Sequence, residues 1–215
     1  TLFSLFYQLH RNFGIRRIIN VLDCLFTVMP KAVATVAVTI LITNEIKKAD
    51  KIILPGVGAF GDAIDKLRKT GLDKVIIDEV KNGKELLGIC LGMQLLFQKS
   101  YEYGEHEGLG LINGNIKPIA EVIPKDLKIP HIGWNSLKLT KPESKIFKYL
   151  KDGDFVYFVH SFYGADCDSV IATANYGADL TAAVSKGNVY GCQFHPEKSG
   201  ETGLKILKAF CEIGD

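Results

Sequence analysis

The segment Glu85 to Gln98 constrains this chain more than any other, because it carries Gly88-Ile89-Cys90-Leu91-Gly92 between two apolar runs. Glu85 to Ile89 has the composition of a short buried strand, and Leu91 to Gln98 reads as a helix, so Cys90 falls where a strand turns sharply into a helix. Glycines on both sides allow the tight approach of backbone that such an elbow requires. The surrounding order agrees: strands at Ile18–Leu22, Val38–Thr43, Lys51–Leu54 and Glu85–Ile89 alternate with helical stretches at Phe26–Ala34, Asp62–Lys81 and Leu91–Gln98. This predicts an α/β fold with a mainly parallel open sheet flanked by helices. A nucleophile at the C-terminal end of a strand sits where such sheets place their sites. The second half is richer in short strands, and a last helix is expected over Thr202–Cys211.

The chemistry follows from residue type. A thiolate at a helix start is favoured by the positive end of the helix dipole, and the Leu91 N–H beside it is a natural oxyanion donor. A lone cysteine reads first as an inert core thiol, and the flanking glycines, with strand before and helix after, reverse that reading. In a second motif the strand-like run Val189–Phe194 leads into His195-Pro196-Glu197. Two residues apart in extended chain, His195 and Glu197 project from the same side, so the carboxylate holds the ring and leaves its other nitrogen for the thiol. The plain alternative is a strand-end histidine beside a solvated glutamate. Pro55-Gly56-Val57-Gly58 after the strand Lys51–Leu54 supplies a further candidate, since glycines flanking Val57 make a peptide flip inexpensive; it reads equally as an ordinary turn.

Composition excludes several classes. At 215 residues with 47% hydrophobic content the chain suits one sizeable globular core. Its 26 basic and 24 acidic residues nearly cancel and form no stripe, so no nucleic-acid footprint is expected. The five cysteines, an odd number, show no metal-ligand spacing, which predicts no metal, no cofactor and no disulfide framework. A reducing cytoplasm suits a working thiol. The longest apolar stretch, Ala32–Thr43, is too short for a membrane span, and no signal peptide is recognisable.

Gly88-Ile89-Cys90-Leu91-Gly92-Met93-Gln94 followed by Phe194-His195-Pro196-Glu197 resembles the triad of class I glutamine amidotransferases. Leu54 to Phe60, Pro130-His131-Ile132-Gly133-Trp134-Asn135, Phe158-Val159-His160-Ser161 and Lys198-Ser199 are similar to motifs of the glutaminase subunits of imidazole glycerol phosphate synthases. The resemblance runs from about Ile42 to the C-terminus and implies the following. Glutamine is hydrolysed through a thioester on Cys90, with His195 and Glu197 completing the triad and Val57, Gly58 and Leu91 forming the oxyanion site. Gly56, Gln94, Glu102, His160 and Ser161 contact the substrate. Trp134, Asn135 and Lys198 dock a (βα)₈-barrel cyclase subunit, which receives the ammonia and forms imidazole glycerol phosphate for histidine synthesis. Each residue has a plainer reading as core, loop or solvated side chain.

The front departs from the pattern. Where family members run from an apolar strand into Asp-Tyr-Gly-x-Gly-Asn-Leu, this chain has Val21-Leu22-Asp23-Cys24-Leu25-Phe26, preceded by Thr1–Arg16 with no counterpart. Residues 1–16 are therefore set apart from a single amidotransferase domain over 17–215, and the stretch reads either as divergence or as a frameshifted misreading. Three functions remain open: an active glutaminase subunit, a docking module that has lost turnover, and a stand-alone thiol hydrolase.

Overall fold

The computed structural model describes residues 18–20 and 42–214. The expected helix Phe26–Ala34, the altered Asp23–Leu25 stretch and residues 1–16 lie outside the described residues, as do 38–41 of the expected strand Val38–Thr43. The remaining two residues of that strand are helical: α1 covers residues 42–48. Ile42, Ile46 and Ala49 recur at helical spacing and are buried, while Glu45 and Lys48 pair on the outside, so the local pattern favours a helix over the expected strand.

The expected parallel layer is formed by β1 (Ile18–Asn20), β2 (Lys51–Gly56), β3 (Glu85–Cys90) and, from the far end of the chain, β13 (Val189–Cys192). They adjoin in that order, all parallel. The sheet then continues antiparallel through β12 (Asp179–Lys186), β11 (Val170–Asn175) and β8 (Lys138–Leu139), making seven strands. Both faces are covered. Ile52, Leu54 and Leu86 join one apolar cluster, whereas Ile53, Leu87 and Ile89 join another on the opposite face, as the two-residue period of a strand buried on both sides requires.

Helices α2 (Phe60–Thr70) and α3 (Leu72–Lys81) replace the single helix expected over Asp62–Lys81. Gly71 takes the left-handed conformation (φ 70°) and its N–H bonds back to the Arg68 carbonyl, which ends α2 and turns the chain before α3. The helix expected over Leu91–Gln98 is likewise shortened. After α4 (Leu91–Leu95) the chain becomes strand β4 (Phe97–Ser100). The carbonyls of Leu95 and Leu96 are taken by the N–H groups of Leu109, Leu111 and Ile112, so a long-range return of the chain captures the helix end.

β4 pairs with β5 (His106–Glu107) and β6 (Ile112–Pro118), and β6 with β10 (Phe162–Ala165), forming a second sheet of four strands. A separate ribbon pairs β7 (His131–Ser136) antiparallel with β9 (Phe155–His160). The last helix, α5 (Gly200–Cys211), begins two residues earlier than expected.

Candidate active site

Cys90 closes β3 and stands immediately before α4 with φ 54° and ψ −113°, a region that costs a non-glycine residue about 1–3 kcal/mol. The neighbouring glycines hold it there. A Cβ on Gly92 would lie 1.6 Å from the Leu54 carbonyl oxygen, and one on Gly88 would lie 2.7 Å from backbone atoms of Gly92 and Met93. The elbow is thus pressed against β2, and only hydrogen fits at the contact. Gly56 is the β2 residue in register with Cys90, and its own Cβ would meet Leu91 at 2.9 Å.

His195 arrives from the adjacent strand. β13 ends at Cys192, and Pro196–Lys198 form a single 3₁₀ turn, so His195 and Glu197 are not joined by extended chain as expected. Proline at the first position of the turn loses no hydrogen bond there, and the turn itself brings the carboxylate back to the ring. Nδ1 of His195 lies 2.7 Å from Glu197 Oε1, with both side chains almost wholly buried. The backbone is pinned as well: the Ser199 hydroxyl donates to the His195 carbonyl at 2.6 Å and accepts from the Tyr157 N–H at 3.0 Å.

Burial opposes charge on His195, but interaction with Cys90 and Glu197 outweighs it and pushes the ring up to about 9. The two contacts differ in kind. The Glu197 bond is formed at good geometry, whereas Nε2 is buried with no partner at hydrogen-bond geometry, although Cys90 comes first among the influences that raise the ring. Glu197 engages Nδ1, so Nε2, on the opposite side of the ring, is the nitrogen available for proton transfer.

Cys90, Leu91 and His195 border a cavity of about 330 Å³. Val57 and Gly58 form its rim from the glycine loop, Gly58 at φ 99° and Val57 largely exposed. Of the expected substrate contacts, Gln94, Glu102, His160 and Ser161 reach the cavity, and Gly56 does not. Glu102 is buried and accepts the Phe60 N–H at 2.6 Å, so its carboxylate also satisfies the first turn of α2, directly after the glycine loop. Gln94 donates to the Phe162 carbonyl at 3.2 Å and to Gln193 Oε1 at 3.0 Å.

Gln193 is not among the residues expected from sequence, although a polar residue inside the apolar run Val189–Phe194 is a visible signal. It is fully buried, and its amide donates toward Cys90 Sγ at 3.9 Å. Tyr103 and Phe162 also line the cavity without belonging to a sequence motif, and so does Pro130, the first residue of the motif expected at the docking face.

The three docking candidates lie away from the cavity. Trp134 is about half exposed on β7 and packs edge-on to Tyr157 of β9, with ring centroids 6.1 Å apart. Lys198 Nζ lies 5.9 Å from the same tyrosine ring. Asn135 has its amide tied inward, to the Asn175 carbonyl at 2.8 Å. Ile132 and Phe155 extend the exposed apolar face of the ribbon.

A thiol at a helix start, an imidazole fixed by a buried carboxylate and a small adjoining cavity can support acyl transfer from a small amide. Among the described residues no cluster of histidine, cysteine or acidic side chains could hold a metal ion, and no helix is long and apolar enough to cross a membrane.

The family model for class-I glutamine amidotransferases matches residues 13–213, and the chain belongs to that family. Its fold resembles a crystal structure of a glutamine amidotransferase, with a TM-score of 0.58 at 20% identity over 78% of this chain and 82% of the other. It also resembles the glutaminase domain of Trypanosoma brucei CTPS solved with bound acivicin, with a TM-score of 0.55 at 16% identity over 78% and 73%. In sequence the chain is 54% identical to the imidazole glycerol phosphate synthase subunit HisH of Caldanaerobacter subterraneus subsp. tengcongensis, over 79% of this chain and 82% of the relative. It is 44% identical to the subunit of the same name from Wolinella succinogenes, over 94% and 98%.

Proposed function

We propose that this chain is the glutaminase subunit of an imidazole glycerol phosphate synthase, acting through Cys90, His195 and Glu197. The observation that carries the reading is the buried His195–Glu197 pair, 2.7 Å apart, placed beside Cys90 at a cavity of about 330 Å³. That volume is near the lower end for ligand sites and suits a substrate as small as glutamine.

In the proposed reaction, Cys90 Sγ attacks the side-chain carbonyl carbon of glutamine and the C–S bond forms as the carbonyl becomes an oxyanion. Leu91 N–H and the peptide N–H groups around Val57 and Gly58 stabilise that charge. His195 delivers the proton from Nε2 to the amide nitrogen, the C–N bond breaks, and ammonia leaves a thioester on Cys90. Water then attacks the thioester and gives its proton to His195, which releases glutamate and restores the thiolate–imidazolium pair. Glu102 and Gln94 hold the amino-acid end of the substrate, with Ser161 and His160 along the wall and Gly56 allowing the close packing of the loop.

Ammonia passes to a cyclase subunit docked on the ribbon face that carries Trp134, with Lys198 beside it and Asn135 bracing the strand from the inner side. Val57 is exposed and flanked by glycines, so a partner touching the loop can bias its peptide toward the oxyanion. The glutaminase works on a free amino acid in the reducing cytoplasm, where the thiol persists, and residues 17–215 act as one domain.

The test is glutamate release by the chain alone and with a relative's cyclase subunit carrying its nucleotide ligand. Strong stimulation is expected. Equal rates with and without the cyclase would overturn the coupled reading in favour of a stand-alone thiol hydrolase. Binding without turnover in either condition would instead indicate a docking module.

A further inference from the structure

His160 and His131 are buried titratable groups that the thioester chemistry does not use. Their hydrogen bonds can be followed proton by proton. The Phe162 carbonyl, 2.9 Å from His160 Nδ1, only accepts, so that nitrogen carries a proton. Burial is the main force holding both rings below the usual histidine range, His160 at about 4, so each is neutral and has a single N–H. His160 Nε2 is then an acceptor, and His131 Nδ1, 3.0 Å away, is its donor. His131 Nε2 must therefore accept, and it faces the Asn135 amide nitrogen at 3.3 Å.

The amide has its own anchors. Asn135 Nδ2 also donates to the Asn175 carbonyl at 2.8 Å, and its Oδ1 accepts the Ser136 N–H at 2.8 Å. His131 is held between Phe158 and Tyr176, with ring centroids at 4.9 and 4.1 Å and both interplanar angles 22°. The chain therefore has one consistent direction, from Asn135 through His131 and His160 to the Phe162 carbonyl.

We infer that His131 is a positioning residue of the glutaminase site: it locks His160 as the Nδ1–H tautomer with both ring nitrogens engaged, leaving His195 as the imidazole open to Cys90. This rests on the reading of Cys90 and His195 as nucleophile and base. His160 is then a neutral wall that presents carbon atoms to the cavity. His160 already interacts electrostatically with His195, so a change in which of its nitrogens carries the proton alters the field at the base. The lock starts on β7, the strand that bears Trp134, and so the same strand serves the exposed face and the cavity wall.

Long-range ¹H–¹⁵N correlation spectra of the full chain test the lock directly. Both His160 and His131 are expected to carry their proton on Nδ1. His131→Phe keeps an aromatic ring in the stack and removes the donor; His160 should then lose its fixed tautomer, and kcat for glutamine with the cyclase bound should fall about tenfold with KM little changed. His131→Gln retains an amide donor and should restore kcat to within about threefold of the parent. A parent spectrum with the His160 proton on Nε2 overturns the inference, as does an unchanged kcat and tautomer in His131→Phe. If that variant does not fold, the parent spectrum and His131→Gln still decide, because a His160 proton on Nε2 in either is a refutation. Undiminished glutamate release by Cys90→Ala would overturn the reading of the site and leave the tautomer result standing.

Discussion

His195 and His160 border the same cavity, both are nearly inaccessible to solvent, and burial works against charge on each. One is nevertheless pushed up to about 9 and the other down to about 4. The difference lies in their partners. His195 has a buried carboxylate on one side and the thiol on the other, whereas His160 has a carbonyl oxygen and a second neutral imidazole. A carbonyl dipole orients a ring without compensating the loss of its hydration, and a carboxylate does both. Neighbouring elements thus make a charged histidine and a neutral one from the same side chain.

Removing each ring in turn should break the comparison most sharply. His195→Ala is expected to lower kcat for glutamine on the order of 10⁴-fold, because the proton shuttle is lost. His160→Ala should leave kcat within about threefold and raise KM about tenfold, because a wall is lost and no proton donor. Steady-state glutaminase kinetics with the cyclase bound check both, and equal losses of kcat would erase the distinction. Glu197→Gln comes next, with an expected loss on the order of 10²-fold as the ring loses its counter-charge.

The smallest effect is on stability, read from chemical unfolding as a function of pH. The raised His195 contributes stability that is complete below its unfolded value near 6.5 and is lost as pH rises through about 9. His160 has the opposite sign: its contribution is present above 6.5 and is lost as pH falls toward about 4. Stability should therefore decline on both sides of pH 6.5, and Glu197→Gln should flatten the alkaline side alone.

The parts of this arrangement legible in sequence are those written over a few adjacent residues. Gly88 to Gly92 announce the elbow, and His195-Pro196-Glu197 announces the base with its carboxylate. The conformation joining the latter pair is a turn and not the expected extended chain, because a proline that disrupts a strand can equally begin a turn. Gly71 is a visible interruption of the Asp62–Lys81 helix and acts as one. The end of α4 is less accessible, since it depends on carbonyls captured from Leu109 to Ile112, a return of chain that periodicity does not report. His131, Gln193 and Ser199 share that difficulty. Each acts through a partner distant in sequence, such as Cys90 for Gln193 or Tyr157 for Ser199.

The packing of the elbow bears on how such a chain can change over generations. Gly92 faces the Leu54 carbonyl with no room for a methyl group, so its replacement disturbs the sheet itself. Cys90 makes only long contacts through its sulfur, to the Val159 carbonyl at 4.0 Å and from the Gln193 amide at 3.9 Å, so its side chain is more readily exchanged than the glycine beside it. Drift at the nucleophile would silence the chemistry and leave the exposed ribbon ready for an unaltered partner. A descendant of this chain could thus persist as a silent companion long after its own reaction had gone.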